Sequence, residues 1–186
     1  MSTKNSFPRT LTLYVTTRGI TFTLFSGATT VIDWGARHIF TKDKQKHADT
    51  VRAAKGIIDQ CSPKVLVIEN VEDGYSRRSP RLTPLYRAIA AYAEKEKIAV
   101  RSYSRRDIKD VFSPTGATNK HHVNCVLAEV VPGIQLFQPD RRKCYQGELA
   151  LQGMFDAAAL GLVFFVRTQR LDIMDAMQKG LPVIDA

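Results

Sequence analysis

Two acidic residues stand in apolar surroundings where a carboxylate is costly to bury. Glu69 ends the apolar run 65–68, and Asp156 is the only charged residue in the fourteen residues GMFDAAALGLVFFV. Each carboxylate must therefore be paired, protonated or bound to a metal ion, or else reach solvent. The alternatives are a surface pairing of Glu69 with an arginine and a solvent-facing Asp156 at a helix N-terminus.

Two carboxylates that converge in a basic protein suit a divalent-metal site for phosphodiester hydrolysis. Mg²⁺ prefers oxygen ligands, and two-metal sites usually hold more than two acids. We predict Glu69, Asp156 and Glu148 as metal ligands, with Mg²⁺ or Mn²⁺ as the cofactor of an active site and no cofactor if the site is inactive. Glu148 lies eight residues before Asp156, about 12 Å along a helix, so the two share an ion only if the chain bends. Asp33, Glu72 and Asp73 are weaker candidates.

The charge balance indicates a polyanionic partner. Lys and Arg number 27 against 18 Asp and Glu, a net charge of +9, and nucleic acid is the partner such a balance favours. The basic residues cluster after strands and before helices, so they are predicted to ring one phosphate-binding face. The predicted nucleic-acid-binding residues are Arg77, Arg78, Arg81, Arg105, Arg106, Lys109, Lys120, Arg141, Arg142 and Lys143. Tyr75, Tyr103 and Tyr145, interleaved with them, are candidates for stacking on unpaired bases.

The chain alternates between strand and helix patterns. Three β-rich segments joined by tight turns predict an antiparallel meander, at 10–17, 20–25 and 29–34. Helical periodicity predicts a helix over 46–61, followed by the buried strand that ends at Glu69. A helix over 82–97, an edge strand over 99–104 and helices over 107–112, 118–131, 153–166 and 171–179 follow. This order predicts a mixed five-stranded sheet, an antiparallel meander plus parallel strands, with helices on both faces.

The whole-chain features bound the class of protein. The 186 residues are enough for one domain with a core. No apolar segment is long enough to span a bilayer, and the first residues hold no secretory signal, so no membrane partner is expected. Three scattered cysteines (Cys61, Cys125 and Cys144) suggest reduced thiols in a cytoplasmic protein.

Several short motifs occur in an order similar to that of the RuvC-like Holliday-junction resolvases of the ribonuclease H-like superfamily. Glu69 in VIEN matches the acid at the end of the family's fourth strand. Asp156 in GMFDAAALGL matches the second aspartate of its final-helix motif D-x-x-D-A-x-A. DIKDVFSPTGATNKHHV resembles the lysine-bearing segment between them and supplies Lys109 and Lys120. The resemblance covers about residues 11–165.

The resemblance implies a ribonuclease H-like α/β domain at 10–168, between a lead-in at 1–9 and a helix and tail at 169–186. It implies a metal-dependent endonuclease that acts on branched DNA and works as a homodimer. Glu69, Asp156 and Lys120 would be its catalytic residues. Lys109 would contact the DNA near the scissile bond.

Two of the family's four acids are absent. Thr17 stands where the family's first strand carries an aspartate in an I-D-P-G turn, or Val15 or Thr16 under a shifted register. Gly153 stands at the first aspartate of D-x-x-D. A neutral threonine does not replace the charge that holds a dication. The alternative is therefore a ribonuclease H-like module that binds structured DNA or RNA without cutting it, and a third reading is a subunit whose basic face docks an acidic protein.

Overall fold

In the part of the chain that the structure describes, five strands form one mixed sheet in the order β3-β2-β1-β4-β5. The computed structural model describes residues 8–41, 43–73, 79–139 and 150–178. The strands are β1 (Thr10–Thr16), β2 (Gly19–Phe25), β3 (Val31–His38), β4 (Val65–Glu69) and β5 (Ala99–Tyr103). The first three pair antiparallel, whereas β4 runs parallel to β1 and β5 parallel to β4. The predicted mixed sheet and the edge position of the fifth strand are confirmed.

The strand directions gather four strand ends at one place. Because only β2 runs in the opposite direction, β1, β3, β4 and β5 all end at the same side of the sheet. We call this side the C-terminal edge. In open α/β sheets the crevice outside the carboxyl ends of the strands is where ligands bind.

Helices cover both faces of the sheet, as predicted. They are α1 (Asp43–Cys61), α2 (Ser79–Lys95), α3 (Arg105–Phe112), α4 (Lys120–Val130), α5 (Ala150–Arg167) and α6 (Ile173–Gln178), with short 3-10 turns at Ser113–Thr115 and Pro132–Phe137. On one face Leu11, Leu13 and Val15 of β1 pack with α1 and α2. On the other face Tyr14 and Val67 pack with α3, α4 and α5.

Three elements differ from their predicted boundaries. β3 begins at Val31 rather than residue 29 and continues to His38, because it pairs along the whole of β2. α3 begins at Arg105, two residues early, because the Ser104 side chain accepts hydrogen bonds from the N–H groups of Arg106 and Asp107. In the described chain α5 begins at Ala150, three residues before the predicted start. In the described ranges, no helix is both long and apolar enough to cross a bilayer.

α5 lies on a sheet face lined with buried threonines. The Thr21 hydroxyl donates to the Gly153 carbonyl at 2.8 Å, and the Thr23 hydroxyl to that of Met154 at 3.3 Å. A Cβ atom on Gly153 would meet Thr16 Cγ2 at 2.7 Å, and one on Gly161 would overlap the Phe25 ring. Because Gly153 and Gly161 have no Cβ atom, α5 packs closer to the sheet than it could with any other residue at these two positions.

Gly161→Ala should lower the free energy of unfolding by about 1–3 kcal/mol, because the added methyl group overpacks the contact with Phe25. Gly56→Ala is the matched control, since a Cβ there meets nothing within 4 Å on an exposed turn of α1. It should stabilise the protein by about 0.5–1 kcal/mol. Urea denaturation followed by circular dichroism measures both. Equal effects of the two substitutions would contradict the close approach of α5.

Candidate functional site

Glu69 is buried at the C-terminal edge and is bonded from two sides. It is the last residue of β4 and is 2% exposed. Arg105 Nε lies 3.3 Å from its Oε1, and the Tyr86 hydroxyl donates to its Oε2 at 3.4 Å. Tyr86 also accepts a hydrogen bond from the N–H of Val15 at 3.0 Å, which ties α2 to β1. Glu69 is therefore an ion-paired carboxylate inside the fold and not a surface cap.

Arg105 joins the ends of three strands. It follows β5, its Nε contacts Glu69 of β4, and its Nη2 donates to the Tyr14 hydroxyl of β1 at 2.8 Å. Leu13 pairs with Ile68, so the register places Tyr14 beside Glu69 on the face toward α5. The side chain of Arg105 remains 52% exposed. The guanidinium is thus held from below by Glu69 and Tyr14 and remains open to solvent.

Asp156 has its own cation and a polar chain beside it. Lys120 Nζ lies 2.7 Å from its Oδ2, and Gln152 Nε2 donates to its Oδ1 at 3.3 Å. Gln152 is held in turn by two hydrogen bonds with Asn124, at 2.9 and 3.3 Å. The Asp156–Gln152–Asn124 chain therefore links α5 to α4 at the position of the second acid.

Both cations sit at helix starts, where positive charge is unfavourable. Arg105 is the first residue of α3 and Lys120 is the first of α4, each directly after a capping side chain. The helix dipole disfavours a cation there by about 0.3–1 kcal/mol. The bonds to Glu69 and Asp156 offset that cost, so the two cations are positioned by the acids and not by local helix preference.

The pKa of Arg105 places it within electrostatic reach of both acids. Burial opposes the charged form, but Tyr14, Glu69 and Asp156 together outweigh it, so the pKa of Arg105 lies above its ordinary value. Arginine is protonated at any physiological pH in either case. Both Glu69 and Asp156 therefore stabilise the charged form of the same guanidinium.

Solved structures of two resolvases share this architecture. RuvC from Thermus thermophilus matches with a TM-score of 0.60 and 14% identity, over 87% of this chain and 97% of that chain. The T. thermophilus RuvC in complex with a Holliday junction substrate gives 0.58 and 10%, over 87% and 96%. The yeast mitochondrial Holliday junction resolvase Ydc2 gives 0.59 and 13%, over 95% and 85%. The chain has a RuvC-like resolvase fold.

The likeness is one of fold. No protein-family model matches the chain, and no curated protein matches it. Because the identities are only 10–14%, the likeness establishes the architecture and leaves the chemistry to the residues of this chain.

This chain has no acid at two positions where the resemblance to the RuvC-like resolvases predicts one. None of the three residues considered for the first aspartate lies beside Glu69. Thr17 is exposed in the β1–β2 turn, Val15 faces α1 and α2, and the Thr16 hydroxyl donates to the Gly19 carbonyl at 3.3 Å. The β1 residue beside Glu69 is Tyr14. At the second position, Gly153 is pressed against Thr16 and Thr21 and leaves no room for a side chain.

The described residues do not fit a divalent-metal centre. Glu69 is bonded to Arg105 and Tyr86, and Asp156 to Lys120 and Gln152, so each acid already has a cation of the chain beside it. Within residues 8–41, 43–73, 79–139 and 150–178, no three Asp, Glu, His or Cys side chains group as metal ligands. Glu148 lies outside the described residues, so a site that includes it stays a prediction.

Three of the predicted nucleic-acid-binding residues are exposed on helices that follow strands ending at the C-terminal edge. Arg81 is exposed in the first turn of α2, and Arg106 and Lys109 are exposed on α3. Arg77, Arg78, Arg141, Arg142 and Lys143 lie outside the described residues, as do Tyr75 and Tyr145. The sequence analysis did not include Lys46, whose Nζ donates to the Thr17 carbonyl at 2.7 Å at the same edge.

The partners of the two acids do not follow from the sequence. Arg105 and Lys120 were predicted to bind nucleic acid, but in the fold each also pairs with an acid. Gln152 carried a usable signal, since it precedes Asp156 by four residues and so shares its helix face. Tyr14 carried only its alternation within β1, which gives its face but not its neighbour on β4.

Arg105→Gln should lower the free energy of unfolding by about 2 kcal/mol, because it leaves the carboxylate of Glu69 buried with only Tyr86. The loss is smaller than the roughly 3–5 kcal/mol of a fully buried pair, because Arg105 is half exposed. Lys109→Gln, on the exposed side of the same helix, is the control and should cost little. Combining Arg105→Gln with Glu69→Gln should recover part of the loss in urea denaturation. Strictly additive losses would argue against the pairing.

Gly153→Asp restores the family's missing acid in sequence and should not restore it in function. The new side chain would meet Thr16 and Thr21, so α5 must shift and stability should fall by at least about 1–3 kcal/mol. Gly133→Asp is the control, because a Cβ there has only ordinary contacts with Val31. Thermal denaturation with and without Mn²⁺ measures the effect. A Gly153→Asp protein that is as stable as wild type and is further stabilised by Mn²⁺ would contradict it.

Proposed function

We propose that this protein binds branched DNA through the C-terminal edge of its RuvC-like fold and does not cut it. The observation that carries the proposal is the Arg105 guanidinium, which is bonded to Glu69 and Tyr14 within reach of Asp156. An active metal centre needs uncompensated carboxylates at this place. Here a side chain of the protein supplies the positive charge instead.

Arg105 has the features of a phosphate ligand. Its five N–H donors are fixed in one plane, and bonds from Nε and Nη2 engage Glu69 and Tyr14. With half of the side chain exposed, the remaining donors can reach the oxygens of a phosphodiester. The bonds below the guanidinium fix its orientation, which lowers the entropy cost of binding. Phosphate contacts of this kind position nucleic acid without reading its sequence.

The neighbouring basic residues extend the phosphate-binding surface. Arg81, Arg106 and Lys109 are exposed on α2 and α3, the helices that follow strands ending at the C-terminal edge. Lys120, paired with Asp156, is 42% exposed and provides a further contact. The predicted residues outside the described ranges belong to the same proposal: Arg77, Arg78, Arg141, Arg142 and Lys143. Such a surface favours a polyanion wider than one strand, and junction DNA is present in one of the structures that share the fold.

The second candidate function is a metal-dependent nuclease on branched DNA, with Glu69, Asp156, Glu148 and Lys120 at its centre. One observation favours it, since the fold buries both acids that the resemblance predicts, Glu69 and Asp156. The cations beside both acids argue against it. A homodimer and the choice of DNA over RNA belong to the proposal as well, since both rest on the likeness to resolvases.

The test is a binding and cleavage assay on a labelled four-way junction and on a linear duplex of the same length. The wild-type chain should bind the junction more tightly, and its affinity should fall steeply with salt. Lys109→Gln should reduce the salt slope by about one unit, the loss of one phosphate contact. Lys95→Gln, at the last turn of α2 and away from the C-terminal edge, is the control and should leave the slope unchanged.

The cleavage arm uses denaturing gels in Mg²⁺ and in Mn²⁺. No product should form in either metal. Cleavage by the wild-type chain that disappears in Glu69→Gln and in Asp156→Asn would overturn the proposal in favour of the nuclease. Absence of salt-dependent binding to either DNA would overturn both functions and favour docking of an acidic protein.

A further inference from the structure

The aromatic ring of Phe40 is exposed to solvent at the C-terminal edge. It follows β3 and is 91% exposed. A ring of this size loses free energy when it stays in water, at about 25 cal/mol for each Å² of apolar surface that could be buried. A single exposed apolar residue is common on a protein surface. Phe40 differs in how firmly its backbone and ring are held.

The segment around Phe40 is anchored on both sides. The N–H of Ile39 donates to the Arg18 carbonyl at 2.9 Å, which ties the segment to the β1–β2 turn. The Thr41 hydroxyl donates to Asp49 Oδ2 at 2.8 Å, which ties it to α1. The ring of His38 stacks on that of Phe40, with centroids 6.1 Å apart and planes at 28°. The exposed ring is therefore carried by a fixed backbone, with the His38 ring alongside it.

The segments around Phe40 carry several basic residues and one acid, Asp49. Arg18 and Arg37 are exposed beside it, and Lys46 reaches the Thr17 carbonyl in the neighbouring turn. An open depression of about 530 Å³ adjoins the ring and is bounded on the α1 side by Asp49, Arg52 and Ala53. Arg52 is paired with Asp49 at 3.1 Å. An aromatic face amid cations is the arrangement by which proteins hold unpaired bases, since every base has a face that stacks and a phosphate that is attracted.

The position of Phe40 relative to Arg105 fits one nucleic-acid ligand. Phe40 follows β3, and the guanidinium of Arg105 contacts Glu69 at the end of β4, three strand spacings away in the sheet, about 14 Å. A branched DNA whose phosphates contact Arg105 and Lys120 therefore spans the edge toward Phe40. At a branch point some bases are free to leave the stack.

We infer that Phe40, backed by His38, is a stacking platform for an unpaired nucleobase. The inference rests on the proposed function and extends it, because it names the part of the DNA that distinguishes a branched or bulged ligand from a plain duplex. The phosphate contacts of Arg105 and Lys109 supply affinity for any duplex. The Phe40 platform supplies the preference for DNA with an unstacked base.

The test compares a linear duplex with the same duplex that carries one unpaired nucleotide, and with a version in which that nucleotide is abasic. Phe40→Ala should weaken binding to the bulged duplex by about tenfold or more, the effect of one lost base stack. It should leave the plain and abasic duplexes within about twofold. Phe40→Trp should retain tight binding, whereas Phe40→Leu should not, because an aliphatic side chain buries area without a stacking face.

Leu136→Ala is the matched control. Leu136 is as exposed as Phe40, at 93%, but lies in the turn Pro132–Phe137, which packs near the start of β3 and away from the C-terminal edge. It should change none of the affinities. If Phe40→Ala and Leu136→Ala bind every DNA as the wild type does, the inference is wrong and the proposed function stands. If the wild-type chain binds no DNA, the proposed function fails and takes the inference with it.

Discussion

The contact of α5 with the threonine-lined face of the sheet sets the geometry of the site. Threonine hydroxyls donate to carbonyls of the helix, and two glycines bring its backbone close to β1 and β2. Because the helix cannot slide without breaking these contacts, Asp156 is fixed near the strand end that carries Glu69. The same contact excludes any side chain at Gly153. One packing constraint therefore both keeps the second acid in place and removes the room for a third.

At the site, each acid is paired with a cationic side chain of the same protein. Glu69 and Asp156 are buried too deeply to stay charged without partners, and Arg105 and Lys120 supply those partners from helix starts where cations are otherwise disfavoured. Tyr14 and Tyr86 complete the first pair, and Gln152 with Asn124 completes the second. Divalent cations are held by negative charge that remains uncompensated. In this network the compensation is already made, and the groups that reach solvent are the two cations, at 52% and 42% exposure.

The sequence predicts the framework well because the framework follows local rules. Alternation and tight turns give the meander, the apolar run 65–68 gives the central strand, and helical periodicity gives the layers on both faces. The acids Glu69 and Asp156 also stand out as charges in apolar segments. The partners of those acids do not follow from local rules. Tyr14 lies beside Glu69 only because of the β1–β4 register. The exposure of Phe40 on a fixed backbone depends on the hydrogen bonds of Ile39 and Thr41 to distant segments. Packing between distant segments decides such contacts.

An acid at a resolvase position is therefore weak evidence for metal chemistry by itself. Removing Glu69 would leave the Arg105 guanidinium with Tyr14 alone, and removing Arg105 would leave a buried carboxylate without its cation. Loss of either partner therefore destabilises the fold. A carboxylate and a guanidinium so coupled form a stable unit that presents a rigid cation at the edge where four strands end. Binding of a phosphodiester needs only that cation, whereas hydrolysis needs carboxylates free to hold metal ions. The coupling that stabilises the site thus favours the first function at the expense of the second.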